Sequence, residues 1–277
     1  MRTVRLPGGD EVVALGQGTW RMGERRKALK DEIAALRHGI ANGMTLIDTA
    51  EMYGSGGAEK VVGEAIRGQR DAVYLVSKVL PSNAGRKHMV RSCEKSLKCL
   101  GTDYLDLYLL HWRSGVSLGE VVEGFLALQE AGKIRRFGVS NFDVDDMDDL
   151  WETPAGQGCQ TNQILYNLSR RWPEAALLPW SRRHGQPLMI YSPLEQGRLP
   201  EGGALGTIAG ERGVTPMQVA LAWVLRHDDV FVVPKASRIA HVDANLGALD
   251  IALTGDELAA LDKAFPPPAS DAPLEIL

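Results

Sequence analysis

Short apolar runs of β type alternate with longer stretches of helical spacing along almost the whole chain. Leu6-Pro7-Gly8-Gly9-Asp10 predicts a turn joining Val4 and Val12 in an N-terminal hairpin. Eight strands are then expected at Ala14–Gln17, Thr45–Asp48, Val73–Lys78, Tyr104–Leu110, Arg136–Ser140, Cys159–Asn162, Leu188–Tyr191 and Val230–Pro234. Several are apolar at nearly every position, as strands covered on both faces must be. Helix starts punctuate the intervals. Ser117-x-x-Glu120 and Thr254-x-x-Glu257 predict capping boxes, and Thr215-Pro216-Met217-Gln218 combines an N-cap, a first-turn proline and a capping glutamine.

Eight strands alternating with helices are compatible with a closed barrel or an open doubly wound sheet. The open sheet commonly carries G-x-G-x-x-G after its first strand. Here Gly16-x-Gly18 is followed by Thr19, Trp20 and Arg21, and no G-x-x-x-x-G-K-[ST] phosphate loop occurs. Eight units in one domain therefore favour an α/β fold of the (β/α)8 TIM-barrel type with an N-terminal hairpin. The 277 residues fit one such domain, spanning 1–277. Pro266-Pro267-Pro268-Ala269-Ser270 begins a tail, 266–277, expected to leave the body as an extended segment.

Composition narrows the partners. A net charge of −4 without a Lys/Arg-rich run supplies no field for a nucleic-acid backbone. No apolar run approaches a membrane span, and the first residues lack a signal-peptide core. Cys93, Cys99 and Cys159 are odd in number and lack C-x-x-C spacing, which suits free thiols in a reducing cytoplasm. The six histidines are scattered, with neither H-x-H nor H-E-x-x-H, so a metal-dependent barrel hydrolase or isomerase is disfavoured and no metal is expected.

Four polar residues fall at expected strand ends or in the loops just beyond: Asp48, Tyr53, Lys78 and His111. Active-site residues of parallel barrels occupy these positions. Lys78 shares strand parity with Tyr74 and Val76, and His111 with Leu105, Leu107 and Leu109. An ammonium ending an apolar face needs a partner, and Asp48 on the neighbouring strand is the obvious one. Taken singly, each residue reads better as part of a buried ion pair or as a satisfied core histidine. Together they form a proton donor. A free phenol, with a pKa of about 10, is too weak an acid near neutrality. A neighbouring ammonium lowers that value, and an imidazole can orient a carbonyl oxygen toward the phenol. Side chains cannot supply hydride, so a nicotinamide cofactor is required.

In these motifs the chain resembles the aldo-keto reductases over nearly its whole length, and it looks like their compact bacterial members. The matching motifs are Gly16-Gln17-Gly18-Thr19-Trp20, Asp48-Thr49-Ala50-Glu51-Met52-Tyr53-Gly54, Lys78, Leu109-Leu110-His111-Trp112, Gly138-Val139-Ser140-Asn141-Phe142, Asn162-Gln163, Tyr191-Ser192-Pro193-Leu194 and Pro234-Lys235. The resemblance implies a TIM barrel that reduces an aldehyde, ketone or dicarbonyl with extended NADPH (NADP+) and no Rossmann domain. It implies Tyr53 as general acid, completed by Asp48, Lys78 and His111. Ser140, Asn141 and Gln163 match positions that bind the nicotinamide carboxamide, and Tyr191 the ring that stacks on it. Gly18, Thr19, Trp20, Asp48, Ser192, Leu194 and Gln196 join the implied cofactor set. Lys235, Ala236, Ser237, Arg238, His241 and Asn245 match the adenosine-phosphate region. Many members carry arginine where His241 stands, so the resemblance implies NADPH with some tolerance of NADH. Trp20, Met52, Tyr53, His111 and Trp112 are the implied substrate wall, which the short tail and short loop after Trp112 leave rather open. A monomer is the family default. The rival within the fold is a cofactor-binding regulatory protein with little turnover, as the potassium-channel β-subunits resemble reductases.

Overall fold

The computed structural model describes residues 1–268 and 273–277. Strands β1 (Thr3–Arg5) and β2 (Glu11–Val13) form an antiparallel hairpin in which Val4 faces Val12. Eight parallel strands follow: β3 (Gln17–Gly18), β4 (Leu46–Asp48), β5 (Tyr74–Val79), β6 (Leu105–Leu110), β7 (Ile134–Ser140), β8 (Asn162–Leu165), β9 (Leu188–Tyr191) and β10 (Val230–Val232). They neighbour one another in chain order. Bridges Leu15↔Val232 and Gly18↔Lys235 join the last strand to the first, so the sheet closes nearly into a barrel. This is the expected TIM architecture.

The closing seam accounts for the first departure from expectation. Residues 14–16 face β10, with Val232 N donating to Ala14 O and Gly16 N to Val232 O, while only Gln17 and Gly18 pair with β4. The strand expected over 14–17 is thereby shared between two neighbours. Gly18 has to be glycine here, because a Cβ would sit 2.5 Å from Val233 O. The second departure is β8, which overlaps the expected Cys159–Asn162 only at Asn162. Gln160 and Thr161 already bond to β7. However, β9 begins opposite Asn162 and carries the pairing on to Leu165. The polar pair Asn162-Gln163 therefore lies within the strand and does not end it.

Helices α1 (Leu29–Ala41), α2 (Gly57–Ile66), α3 (Arg86–Leu100), α4 (Leu118–Glu130), α5 (Val144–Glu152), α6 (Leu177–His184), α7 (Gly203–Arg212), α8 (Pro216–Leu225), α9 (Ile239–Gly247) and α10 (Gly255–Ala264) pack outside the barrel. Two of the three expected capping boxes form, at Thr215/Gln218 and Thr254/Glu257. Ser117 accepts from Glu120 N, but the Glu120 carboxylate turns to Arg86 N, so α4 has half the motif.

The strand parity sorts the core into two layers. Val76, Leu107, Leu109, Met189 and Phe231 fill the barrel interior, and Val4, Leu6 and Val12 of the hairpin plug its lower end. Tyr108 and Leu110 point outward to the helices, where Tyr108 meets Phe125 edge-on and Phe125 stacks on Phe137. Leu105, the first residue of β6, joins this outer layer. With the bottom plugged, a ligand can enter only from the end where the strands terminate. All three cysteines are free, and Cys93 and Cys99 share α3. Among the described residues no helix is long and apolar enough to cross a membrane.

The expected tail differs from its prediction. Residues 269–272, including Ala269 and Ser270, lie outside the described residues. The following segment returns to the body: Leu274 packs on the outer core, Glu275 pairs with Arg170 at 2.5 Å, and Ile276 and Leu277 reach the barrel mouth. Leu274 finds apolar surface on the outer core, and Ile276 and Leu277, each about half exposed, line the mouth.

Candidate active site

At the mouth, the strand ends surround a cavity of about 1140 Å³. Asp48 closes β4, Lys78 is the penultimate residue of β5, and His111 follows β6. Tyr53 begins a short 3-10 turn in the loop after β4. The four meet. Lys78 is fully buried, and its Nζ donates to Asp48 Oδ2 (2.7 Å), Thr49 O (2.8 Å) and Tyr53 Oη (3.2 Å). The ammonium thus spends its three N–H donors on Asp48, Thr49 O and Tyr53 Oη, with the second Asp48 oxygen also 2.7 Å away. The His111 ring lies 5.8 Å from the Tyr53 ring, nearly perpendicular to it.

The electrostatics of the quartet differ in part from the expectation. Burial, reinforced by the Asp48 carboxylate, holds the Tyr53 phenol well above its ordinary value, so the expected depression by Lys78 is not realised. The phenol is therefore protonated at neutral pH. Burial lowers Lys78, against the attraction of Asp48. Burial and the Lys78 charge push His111 well below the usual imidazole value, so the ring is neutral.

The next three strands supply amides and a second hydroxyl. Asn141, with left-handed φ 58°, donates from Nδ2 to His111 O (3.0 Å) and Ser140 Oγ (3.2 Å). It accepts at Oδ1 from Tyr191 Oη at 2.9 Å. Ser140 Oγ donates to Gln163 O, and Gln163 Nε2 donates to Asp48 Oδ1 at 2.8 Å. Left-handed backbone at Arg21, Ser55, Ser192, Glu195 and Gln196 places further strain in loops around the same end. The loop after β9 is tied down by Glu195. Burial opposes ionisation of this carboxyl, but Asn167, Arg170 and Arg198 hold it below the ordinary range.

Most predicted site residues converge on the cavity. Gly18, Thr19, Trp20, Asp48, Met52, Tyr53, His111, Trp112, Ser140, Asn141, Gln163, Tyr191, Ser192, Leu194, Gln196, Lys235, His241 and Asn245 all line it. Lys78 lies beneath its floor. Ala236, Ser237 and Arg238 are not on the wall: Ala236 is buried in the outer core, Arg238 precedes α9, and Ser237 accepts from Lys235 Nζ at 3.1 Å. The sequence reading did not mark Arg21, Glu201, Thr215, Ile276 or Leu277 as lining residues. Arg21 directly follows the Gly-Thr-Trp motif and lies over the Trp20 ring at 4.3 Å, so adjacency was the available signal. The tail residues had no local signal.

A barrel with an Asp-Tyr-Lys-His cluster at its mouth defines a carbonyl oxidoreductase class. The aldo/keto reductase family model matches residues 14–265, and the chain belongs to that family, whose members are NAD(P)H-dependent oxidoreductases acting on carbonyl groups. It is 50% identical over 281 aligned positions to methylglyoxal reductase YeaE of Escherichia coli, covering 100% of this chain and 99% of the relative. Methylglyoxal reductase DkgB of Salmonella typhi is 31% identical, with 91% and 93% covered. An aldo/keto reductase from Klebsiella pneumoniae, crystallised with NADP and acetate, superposes with a TM-score of 0.97 at 52% identity, covering 100% of this chain and 99% of that one.

Proposed function

We infer that this protein reduces aldehydes, ketones or dicarbonyls with NADPH, and that Tyr53 donates the proton. The observation that carries this reading is the approach of Tyr53 Oη to Lys78 Nζ, an ammonium itself held by Asp48. A protonated phenol beside a cation is poised to give up its proton as charge develops on a carbonyl oxygen. The raised pKa in the free site is compatible with this role, because the acid must hold its proton until the substrate takes it.

His111 supplies orientation. Its Nδ1 is buried and has no hydrogen-bond partner among the described residues. Placing the proton there would bury an unpaired donor, so the neutral ring carries it on Nε2. That N–H can hold the substrate oxygen, while the perpendicular phenol approaches from the side. Trp20, Met52, Trp112, Ile276 and Leu277 give the entrance an apolar wall, which suits small carbonyl compounds of varied shape.

The residues fit a nicotinamide dinucleotide, which when bound supplies the hydride. Both N–H donors of Gln163 are engaged, one on Asp48 and one on Met189 Sδ, so its Oε1 remains as an acceptor. With Asn141 Oδ1 it offers two oxygens to a carboxamide NH2, and Ser140 Oγ can turn to the carboxamide oxygen. The cavity continues past Tyr191 to Lys235, His241 and Asn245. Lys235 and Ser237, beside the N-terminus of α9, are suited to hold a 2′-phosphate, and this favours NADPH over NADH. The protein is further proposed to act in the cytoplasm as a monomer, without nucleic-acid or membrane partners.

The name of the Escherichia coli relative makes methylglyoxal the first substrate to try. The test follows cofactor absorbance with NADPH and methylglyoxal or 4-nitrobenzaldehyde, then repeats it with NADH. Turnover with kcat/KM higher for NADPH is expected. Tight cofactor binding without turnover across a broad carbonyl panel would leave only the regulatory reading.

A further inference from the structure

Gln163 is matched above to a carboxamide-binding position, yet its strongest contact is with the proton-donating machinery. Its Nε2 lies 2.8 Å from Asp48 Oδ1, and both residues are buried. An ionised carboxylate can only accept, so the atom facing it is the amide nitrogen. Lys78 Nζ lies 2.7 Å from both Asp48 oxygens, and Gln163 shares Oδ1 with it. A chain of buried contacts runs from Met189 Sδ through Gln163, Asp48 and Lys78 to the Tyr53 hydroxyl. The glutamine backbone belongs to the same frame. Gln163 O accepts from Ser140 Oγ and Asn141 N, and Asn141 in turn holds His111 O.

We propose that Gln163 is a positioning residue for the proton donor, which it controls through Asp48, in addition to any contact with cofactor. Without the amide donor, Asp48 Oδ1 loses its second buried partner, and the negative charge that Gln163 shared falls on Lys78 alone. The ammonium is then more fully neutralised, leaving less attraction for a Tyr53 phenolate. The acidity of the phenol falls. Because Gln163 offers only its Oε1 to a ligand, a carboxamide bound there would press on the same amide that fixes Asp48. Cofactor placement and acid placement thus share one side chain. This inference rests on the reductase reading with Tyr53 as the acid.

The test compares wild type with Gln163→Met, which keeps length but removes both donors, and with Gln163→Glu. NADPH affinity is measured by fluorescence, and kcat at saturating cofactor is followed across pH in both reaction directions. For Gln163→Met, kcat is expected to fall about tenfold or more. The rising limb of alcohol oxidation, which requires the phenolate, should move up by about half a pH unit or more. Gln163→Glu sets a second carboxyl against Asp48. Its deficit relative to wild type should shrink at acidic pH, where the protonated carboxyl can donate in place of the amide. Profiles that superimpose on wild type in shape, with the whole loss confined to NADPH affinity, would overturn the proposal and leave Gln163 a cofactor contact only. A wild type that binds NADPH and reduces no carbonyl would instead overturn the reductase reading, and this inference with it.

Discussion

Tyr53→Phe separates proton donation from every other duty of the site. It deletes one oxygen and leaves the ring against His111. The hydroxyl accepts one of three donors of Lys78, at 3.2 Å, while Asp48 and Thr49 O keep the other two at 2.7 and 2.8 Å. The long third bond is the weakest, so its loss should change folding stability by no more than about 1 kcal/mol. The carboxamide and phosphate ends of the cavity are untouched, so NADPH affinity should stay near wild type. Catalysis should not. A positioned general acid is worth roughly 10²- to 10⁴-fold, or about 3–5 kcal/mol of barrier at 1.36 kcal/mol per decade. The assay is kcat for methylglyoxal at saturating NADPH, paired with a thermal melt and a fluorescence titration of cofactor. A kcat within about threefold of wild type, with the melt and titration unchanged, would show that the proton comes from elsewhere and refute the reasoning.

Lys78→Met should also cripple turnover, but with a different signature. It strips the ammonium from a buried carboxylate, so a stability loss of up to about 3–5 kcal/mol should accompany the kinetic defect; an unchanged melt would mean the pair is not coupled to folding. Lys235→Ala should raise KM for NADPH about tenfold or more, since a charge-assisted bond is lost, with little effect on NADH; equal losses with both cofactors would move the phosphate site elsewhere. Stability should fall as pH drops from about 6.5 toward 4. In this window His227, held down to about 4 by burial and then by Arg226 and Arg182, resists a proton that the unfolded chain accepts. Above that range its contribution is complete. His227→Gln should flatten the difference between urea midpoints at pH 7 and pH 5, the remainder belonging to His111, whose depressed value acts with the same sign; an unflattened difference would exclude His227 as the source.

The alternation of apolar runs and helical stripes determined an α/β class of buried parallel strands, because strands covered on both faces have to be apolar throughout, and the count of eight units with polar strand ends favoured the closed barrel over the open sheet. The polar residues at their ends then stood out against that background, and this is why Asp48, Lys78 and His111 were legible one strand at a time. Asn162 and Gln163 misled for the converse reason: this strand opens on the polar residues it gives to the site, and the expected strand stopped at Asn162 where the observed one begins. Tertiary structure alone decided the rest. Gln163 meets Asp48 across 115 residues, Glu275 reaches Arg170 across 105 and brings Ile276 and Leu277 to the mouth, and residues 14–16 pair across the seam with β10. Even the direction of the Tyr53 shift was set by the fold. The residue types place an ammonium beside the phenol, but how much water and how much of Asp48 the hydroxyl feels depends on closing the barrel around it. Local pattern fixes which groups are present and on which side of a strand they project. Distance and burial, on which their acidity depends, exist only once the ring of strands is shut.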